Sequence, residues 1–365
     1  MMLLKLLQHL DRQRFDPYVI SLRSKGEVGP GIANLGIPVL ELGMKPGLPN
    51  PLKLLALVNH LRRIKPDVVQ TWMYHADLLG GLAAQLAGCR RVVWGLRNSN
   101  LDKRLTKRST LMVVKVCALA SPWLPARILS CSTRAAGGHA AAGYEAKKIQ
   151  VIPNGFDLLR FQSDEMARLA VRAEIGIPPE TPLVGLMARF DPQKNHEGFL
   201  DAAVMIRQEL PLVQFVLAGG GVDVSNTVLN EAIQARGLSG AVHLLGRRDD
   251  MPRLMAALDV LASSSSYGEA FPNVLGEAMA CSVPCVVTDV GDSAEIVGEA
   301  GRVVNAGDME GLAQQIVKLL CLPSKELRVL GSQARERVAT NYEIGHVARV
   351  YEAFYQQLMG KTGVF

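Results

Sequence analysis

The feature that most constrains this chain is an alternation of short apolar runs with amphipathic segments, which begins once and then begins again. Six runs rich in β-branched residues, at 18–22, 37–42, 67–72, 90–96, 127–132 and 149–154, are separated by stretches of helical spacing such as 51–64 and 76–87. Strands this short and this uniformly apolar predict a parallel sheet covered by helices on both faces. The pattern restarts with runs at 181–190, 212–220, 241–246, 259–265 and 283–290, after a polar, irregular piece at 154–165. The expected class is therefore α/β, with two Rossmann-like doubly wound domains facing each other across a cleft. The first covers 1–155 and is completed by an amphipathic C-terminal helix over 343–360; the second covers 156–342. A length of 365 residues suits two such cores.

Composition narrows the function classes. With 48% hydrophobic and 20% charged residues the chain is not of the disordered class. Aromatics at 5% leave little stacking surface for single-stranded nucleic acid. A net charge of +6 suits a phosphate ligand or an anionic lipid surface, and equally suits mere solubility. Cys89, Cys117, Cys131, Cys281, Cys285 and Cys321 form no C-x-x-C pair and read as reduced core residues of a cytoplasmic protein. No stretch reaches the run of roughly 18 uncharged apolar residues that a spanning helix needs. The nearest, 111–125, is interrupted by Lys115, Pro122 and Pro125.

The opening segment carries Leu3, Leu4, Leu7 and Leu10 at helical spacing and reads as a helix rather than a signal peptide. A doubly wound domain normally places its central strand and a Gly-rich turn ahead of that helix. Neither occurs here, so the expectation is a first domain lacking its first strand, with unpaired backbone groups on the neighbouring strands.

In open α/β sheets, ligands bind beyond the carboxyl ends of the strands. The segment 263–298 ends a strand near Ser265 and begins a helix near Pro272, a residue suited to the first helical position. Free N–H groups at such a helix start favour an anion, so Ala270, Phe271, Pro272 and Asn273 are candidate phosphate contacts. Glu269 precedes the helix and Glu277 lies one turn inside it. Carboxylates accept hydrogen bonds from vicinal hydroxyls, which suits a ribose and a sugar. Spacing alone is explained as well by a solvated loop acid and a dipole-favoured helix acid. Arg189 and Lys194 flank a turn after the first strand of the second domain, where two cations could neutralise a diphosphate or serve as surface charge. Gly219 and Gly220 form a Gly-rich turn after the next strand, a weak signal taken alone. His75 follows the strand 67–72 at a helix start; a lone histidine is more often structural.

Together these segments resemble the family 4 retaining glycosyltransferases of the GT-B fold, over nearly the whole chain. The resemblance rests on R-F-D-P-Q-K-N-H at 189–196, on E-x7-E from Glu269 to Glu277 within G-E-A-F-P-N-V-L-G-E-A-M-A, and on V-I-P-N-G-F-D-L-L-R-F at 151–161. It implies that Arg189 and Lys194 bind the donor diphosphate, and that Glu277 holds the ribose. Glu269 would contact the transferred sugar, 270–273 the sugar and phosphates, and His75 the sugar at the reaction centre. It implies a nucleotide diphosphate sugar as co-substrate, UDP by family frequency, with no metal or further cofactor. The acceptor would be a glycan or lipid-linked molecule of envelope or polysaccharide biosynthesis. Two departures stand out: the Gly-rich turn after the first strand has no counterpart, and Asn98 stands where relatives often carry histidine.

The segment 102–127 is basic and then apolar, with Lys103, Arg104, Lys107, Arg108 and Lys115, as a helix resting on an anionic membrane surface would be, or one with a solvated basic end. Two other classes compete. A non-catalytic nucleotide-sugar-binding protein would follow from the missing first strand. A dinucleotide oxidoreductase lacks its fingerprint, since no strand is followed by G-x-G-x-x-G with an acid about 20 residues on.

Overall fold

The computed structural model describes residues 2–45, 50–99, 101–102 and 105–360. The chain forms two compact units, Met1–Gly155 with Ile344–Phe365, and Phe156–Glu343. The first unit runs α1 (Met2–His9), β1 (Val19–Ser21), α2 (Gly29–Ala33), β2 (Val39–Glu41), α3 (Pro51–Ile64), β3 (Val69–Gln70), α4 (Tyr74–Leu86), β4 (Val92–Leu96), α5 (Arg108–Ala120), β5 (Arg127–Ser130), α6 (Thr133–Ala141) and β6 (Ile149–Val151). The second runs α7 (Glu165–Glu174), β7 (Leu183–Met187), α8 (His196–Glu209), β8 (Gln214–Ala218), α9 (Thr227–Ala235), β9 (Val242–Leu244), α10 (Met251–Ala256), β10 (Val260–Ser263), α11 (Asn273–Ala280), β11 (Cys285–Thr288), α12 (Ser293–Val297), β12 (Arg302–Val304), α13 (Met309–Leu320) and α14 (Ser324–Tyr342). The chain then returns to the first unit with α15 (Ile344–Leu358).

Every strand pairing is parallel, as the apolar runs predict. In the first unit β3–β4–β5–β6 form one sheet and β1–β2 a separate pair. All of β4 is buried. Its side chains alternate between faces: Val92, Trp94 and Leu96 pack with Leu57, Leu61, Ala83, Ala84, Val114 and Cys117 of α3, α4 and α5. Val93 and Leu129 face the other way, onto Met2 and Leu6 of α1 and Ile344, Val347, Tyr351 and Phe354 of α15. Full burial of such side chains contributes about 1.5–3 kcal/mol each, which is why the C-terminal helix belongs to this unit. Helix α3 starts where Asn50 accepts the Leu52 N–H at 2.9 Å with Pro51 at the first position, the signature of an N-cap.

In the second unit the sheet order is β12–β11–β10–β7–β8–β9. Counted from the unit's own first strand this is the doubly wound 3-2-1-4-5-6 order, whose winding reverses between β7 and β10. The N-terminal ends of these two strands are locked together. Arg172 of α7, fully buried, donates to Asp259 (2.8 Å) and to the carbonyls of Ala257, Pro179 and Thr181, and Asp259 also accepts the Leu183 N–H at 2.8 Å. The opposite, carboxyl ends carry the loops that sequence singled out.

Three differences from expectation are local. Strand β12 has no counterpart among the apolar runs read from sequence, because Arg302–Val304 is only three residues long at the sheet edge. Helix α4 begins at Tyr74, two residues earlier than its apolar periodicity suggests. Pro272 is the N-cap of α11 with extended backbone (ψ 103°), so Asn273 takes the first helical position.

Candidate functional site

The loops after β7 and β10, either side of the switch point, meet through side chains. After β7, Asp191 accepts the Gln193 N–H at 3.0 Å and closes a short turn that ends at Asn195, in left-handed conformation (φ 52°). Asn195 then caps α8 by accepting from the Gly198 N–H at 3.1 Å. This turn holds Lys194 mostly buried, its ammonium paired with the Glu269 carboxylate. Ser265 donates to the same Glu269 oxygen at 2.9 Å. Ser264 donates to the Lys194 carbonyl at 2.9 Å, and the Ser266 N–H to the Gln193 carbonyl at 2.9 Å. Two of the predicted residues, Lys194 and Glu269, are thus in direct contact; Ser264 and Ser266 tie their loops together, and Ser265 holds the Glu269 carboxylate from within its own loop.

Arg189 stands on the outer side of the same turn. Its side chain is 59% exposed and donates to Asp191 and to Gln193, each at 3.2 Å. The Gly-rich turn after β8 backs onto it. The Phe190 N–H donates to the Gly220 carbonyl at 2.8 Å, and a Cβ on Gly219 would run into the Ala188 carbonyl. Gly219 is therefore required by close approach of two backbones, whereas a Cβ on Gly220 would meet open space.

The loop leading into α11 is pinned from behind. Thr288 donates to the carbonyls of Ser265 (2.6 Å) and Ser263 (3.2 Å), and the Asp292 N–H donates to the Ala270 carbonyl at 3.0 Å. Gly291, at φ 58°, lies so close to Glu269 and Ala270 that any side chain would strike their carbonyls. The N-cap residue Pro272 has no side-chain hydrogen bond to offer the first turn of α11, whose N–H groups carry the positive end of the helix dipole. Glu277 projects from the second turn, half-buried.

Not every predicted contact presents its side chain. Phe271 is buried, stacked on Phe156 (centroids 6.1 Å apart) and edge-on to Tyr342 (5.5 Å), so only its backbone is free to meet a ligand. Ala270 and Pro272 are buried as well. His75 belongs to the first unit; it is exposed, at the second position of α4. It follows Met73, whose φ of 77° and ψ of 151° are a conformation that side chains other than glycine rarely adopt. Beneath it Asp77 is fully buried, accepting from Thr71 Oγ1 at 2.5 Å and the Gly95 N–H at 3.1 Å, and burial pushes its carboxyl up to about 7. Burial also pushes His196 down to about 4, so the ring beside the Lys194 turn is neutral.

Sequence reasoning did not single out Ser264, Ser265, Thr288 or Gly291. The run of four serines at 263–266 was the available signal, since consecutive hydroxyls at a strand end favour hydrogen bonds to nearby loop backbone.

The chain is similar to known proteins. Residues 1–160 match the family model described as Glycosyltransferase Family 4, and residues 181–321 that described as Glycosyl transferases group 1. The UDP-Gal:alpha-D-GlcNAc-diphosphoundecaprenol alpha-1,3-galactosyltransferase of Escherichia coli is 25% identical over 84% of this chain and 80% of its own length. The N-acetyl-alpha-D-glucosaminyl L-malate synthase of Bacillus anthracis is 30% identical over 58% of this chain and 55% of its own length. Among solved structures, Anabaena HepE in complex with UDP and glucose superposes with a TM-score of 0.85, at 23% identity, over 98% of this chain and 95% of that one. With consecutive family models spanning most of its length and glycosyltransferase relatives, the chain belongs to family 4 of the glycosyltransferases, with their two Rossmann-like domains of the GT-B fold.

Proposed function

We propose that the protein transfers a sugar, with retention of anomeric configuration and without a metal, from UDP-sugar to a glycan or lipid-linked acceptor of the cell envelope. The observation that carries this reading is the convergence at the switch point of the Lys194–Glu269 pair with the loop that leads into the start of α11. The donor's diphosphate would lie against the N–H groups of 271–273, with Lys194 and Arg189 supplying the charge a metal would otherwise supply. Lys194 has three donors and spends one on Glu269. Glu277 would hold the ribose, Glu269 the sugar hydroxyls and His75 the sugar at the reacting carbon. Negative charge grows on the leaving phosphate as its bond to the sugar breaks, so cations fixed in advance favour the transition state over the ground state. Attack from the face that the diphosphate leaves needs no protein nucleophile.

The acceptor reading rests on α5. Met112 (68% exposed), Val116 and Leu119 (77%) repeat at four and three residues along the helix, and Trp123 (71%) follows in the turn after it, an apolar surface open to solvent. Lys107, Arg108 and Lys115 lie exposed alongside; Lys103 and Arg104 fall outside the described residues. Among the described residues no helix is long and apolar enough to cross a membrane. A basic, apolar surface helix of this kind suits peripheral binding to the anionic inner face of a membrane, where a lipid-linked acceptor would be presented.

The test is transfer from a panel of UDP-sugars to lipid-diphosphate acceptors in EDTA, with the product's anomeric coupling read by NMR. An α product from an α donor is expected. An inverted product, or turnover only with added metal, would refute the mechanism. For the membrane, Leu119→Asp should abolish flotation with phosphatidylglycerol vesicles; wild-type protein that does not float with them at low salt would refute that part.

A further inference from the structure

Strand β3 passes into α4 through a turn at Met73, and that turn is strained. Met73 has φ 77° and ψ 151°, whereas Lys65 and Asn195, also at positive φ, sit in the left-handed helical region with ψ of 55° and 54°. A side chain holds a conformation like that of Met73 only where its surroundings leave no alternative. Here the Met73 N–H donates to the Gly95 carbonyl at 3.0 Å, and the Met73 carbonyl accepts the Asp77 N–H at 2.9 Å. The Asp77 side chain then ties the two strands to the helix. Its Oδ1 accepts from Thr71 Oγ1, ahead of the turn, at 2.5 Å and from the Gly95 N–H of β4 at 3.1 Å. A Cβ on Gly95 would lie 2.5 Å from the Thr71 carbonyl oxygen, so only glycine lets β4 come this close. Trp72, between Thr71 and Met73, is covered by the Arg97 guanidinium, 4.1 Å from its ring centroid.

Two features of this turn cost stability. Met73 is strained where glycine would not be, and among the described residues Asp77 Oδ2 is buried with no hydrogen-bond partner. What they fix is the start of α4, where His75 stands exposed two residues after Met73. Strain of this kind persists where a group must be held in one direction. Taking His75 to act as proposed above, we infer that Asp77 is a positioning residue, which locks the Met73 turn and so fixes the direction in which His75 leaves the first sheet. Asp77 is itself fully buried, so it acts through the turn and not on the sugar.

The test is a double-mutant cycle on kcat with the UDP-sugar panel, together with amide exchange of the full chain. Misplacing a catalytic group by about 1 Å can cost about a hundredfold in rate. Asp77→Ala should lower kcat on that scale and leave KM for the donor little changed, because the groups that bind it stay in place. Asp77→Asn keeps an oxygen for both donors and should restore most of the loss. In a His75→Ala background Asp77→Ala should lower kcat no further, since the two act as one unit. Exchange at the Met73 amide should quicken by about tenfold or more in Asp77→Ala and slow again in Asp77→Asn. If Asp77→Ala does not fold, Thr71→Val removes one of the two donors at nearly constant shape and should move kcat and Met73 exchange in the same direction. Losses that add in the double mutant, or a kcat that Asp77→Asn does not restore, would overturn the inference. His75→Ala with the wild-type kcat, or no turnover with any donor, would refute the proposed function instead. Exchange at Met73 then still decides whether Asp77 locks the turn, and an unchanged rate there overturns it.

Discussion

Asp77→Asn should flatten part of the pH dependence of stability. The carboxyl is wholly buried, and desolvation raises it from 3.8 to about 7 against the pull of the Thr71 hydroxyl and the Gly95 N–H. Among the described residues its Oδ2 has no hydrogen-bond partner, so nothing there offsets the cost of a buried negative charge. A carboxyl whose folded pKa lies above its unfolded value stabilises the fold fully below about 4, and loses that contribution as pH rises toward 7. At about 1.4 kcal/mol per pH unit, the window amounts to on the order of 4 kcal/mol. Asparagine keeps an oxygen for both donors and never ionises. Urea unfolding of both proteins from pH 4.5 to 8 should show the mutant gaining on the wild type as pH rises, by several kcal/mol in all, and levelling off above 7. Other carboxylates titrate equally in both and cancel. A difference independent of pH would refute the reasoning, because Asp77 would then be ionised, or protonated, in both folded and unfolded chains.

Further outcomes follow from particular contacts. Asp259→Ala leaves Arg172 buried without its counter-charge and should cost about 3–5 kcal/mol by urea unfolding. Met73→Gly should raise stability by about 1 kcal/mol, because glycine adopts the φ of 77° without strain. Glu277→Ala should weaken UDP binding at least tenfold by calorimetry if the carboxylate holds the ribose. Lys194→Ala should lower kcat more than it raises KM, because the charge it opposes is largest in the transition state.

The sheets were legible in the sequence wherever a strand is buried on both faces. Runs such as Val92–Leu96 and Leu183–Met187 are apolar at every position because helices cover both sides. Strand β12 escaped because an edge strand of three residues leaves no such run. The charged members of the candidate site could be chosen from sequence because Arg189, Lys194 and Glu269 follow strand ends and Glu277 sits in the second turn of the helix after one, where ligands of such sheets bind. The Lys194–Glu269 pairing was not legible, because it joins loops 75 residues apart in sequence. The burial of Phe271 was not, because its partners Phe156 and Tyr342 come from the two ends of the unit. The Met73 backbone was not, because nothing in a methionine announces a positive φ.

The central claim, a UDP-sugar donor held at the switch point of the second unit, is tested most directly by thermal melting in EDTA with UDP, GDP and ADP. At a hundred times its dissociation constant a ligand adds about 2.7 kcal/mol, or roughly 3–4 °C for a chain of 365 residues melting as one unit. UDP should raise the melting temperature of the wild type by that amount, GDP and ADP by less, and Lys194→Ala should lose most of the UDP shift. A cooperative melt that no nucleoside diphosphate moves, or a UDP shift undiminished in Lys194→Ala, would contradict it.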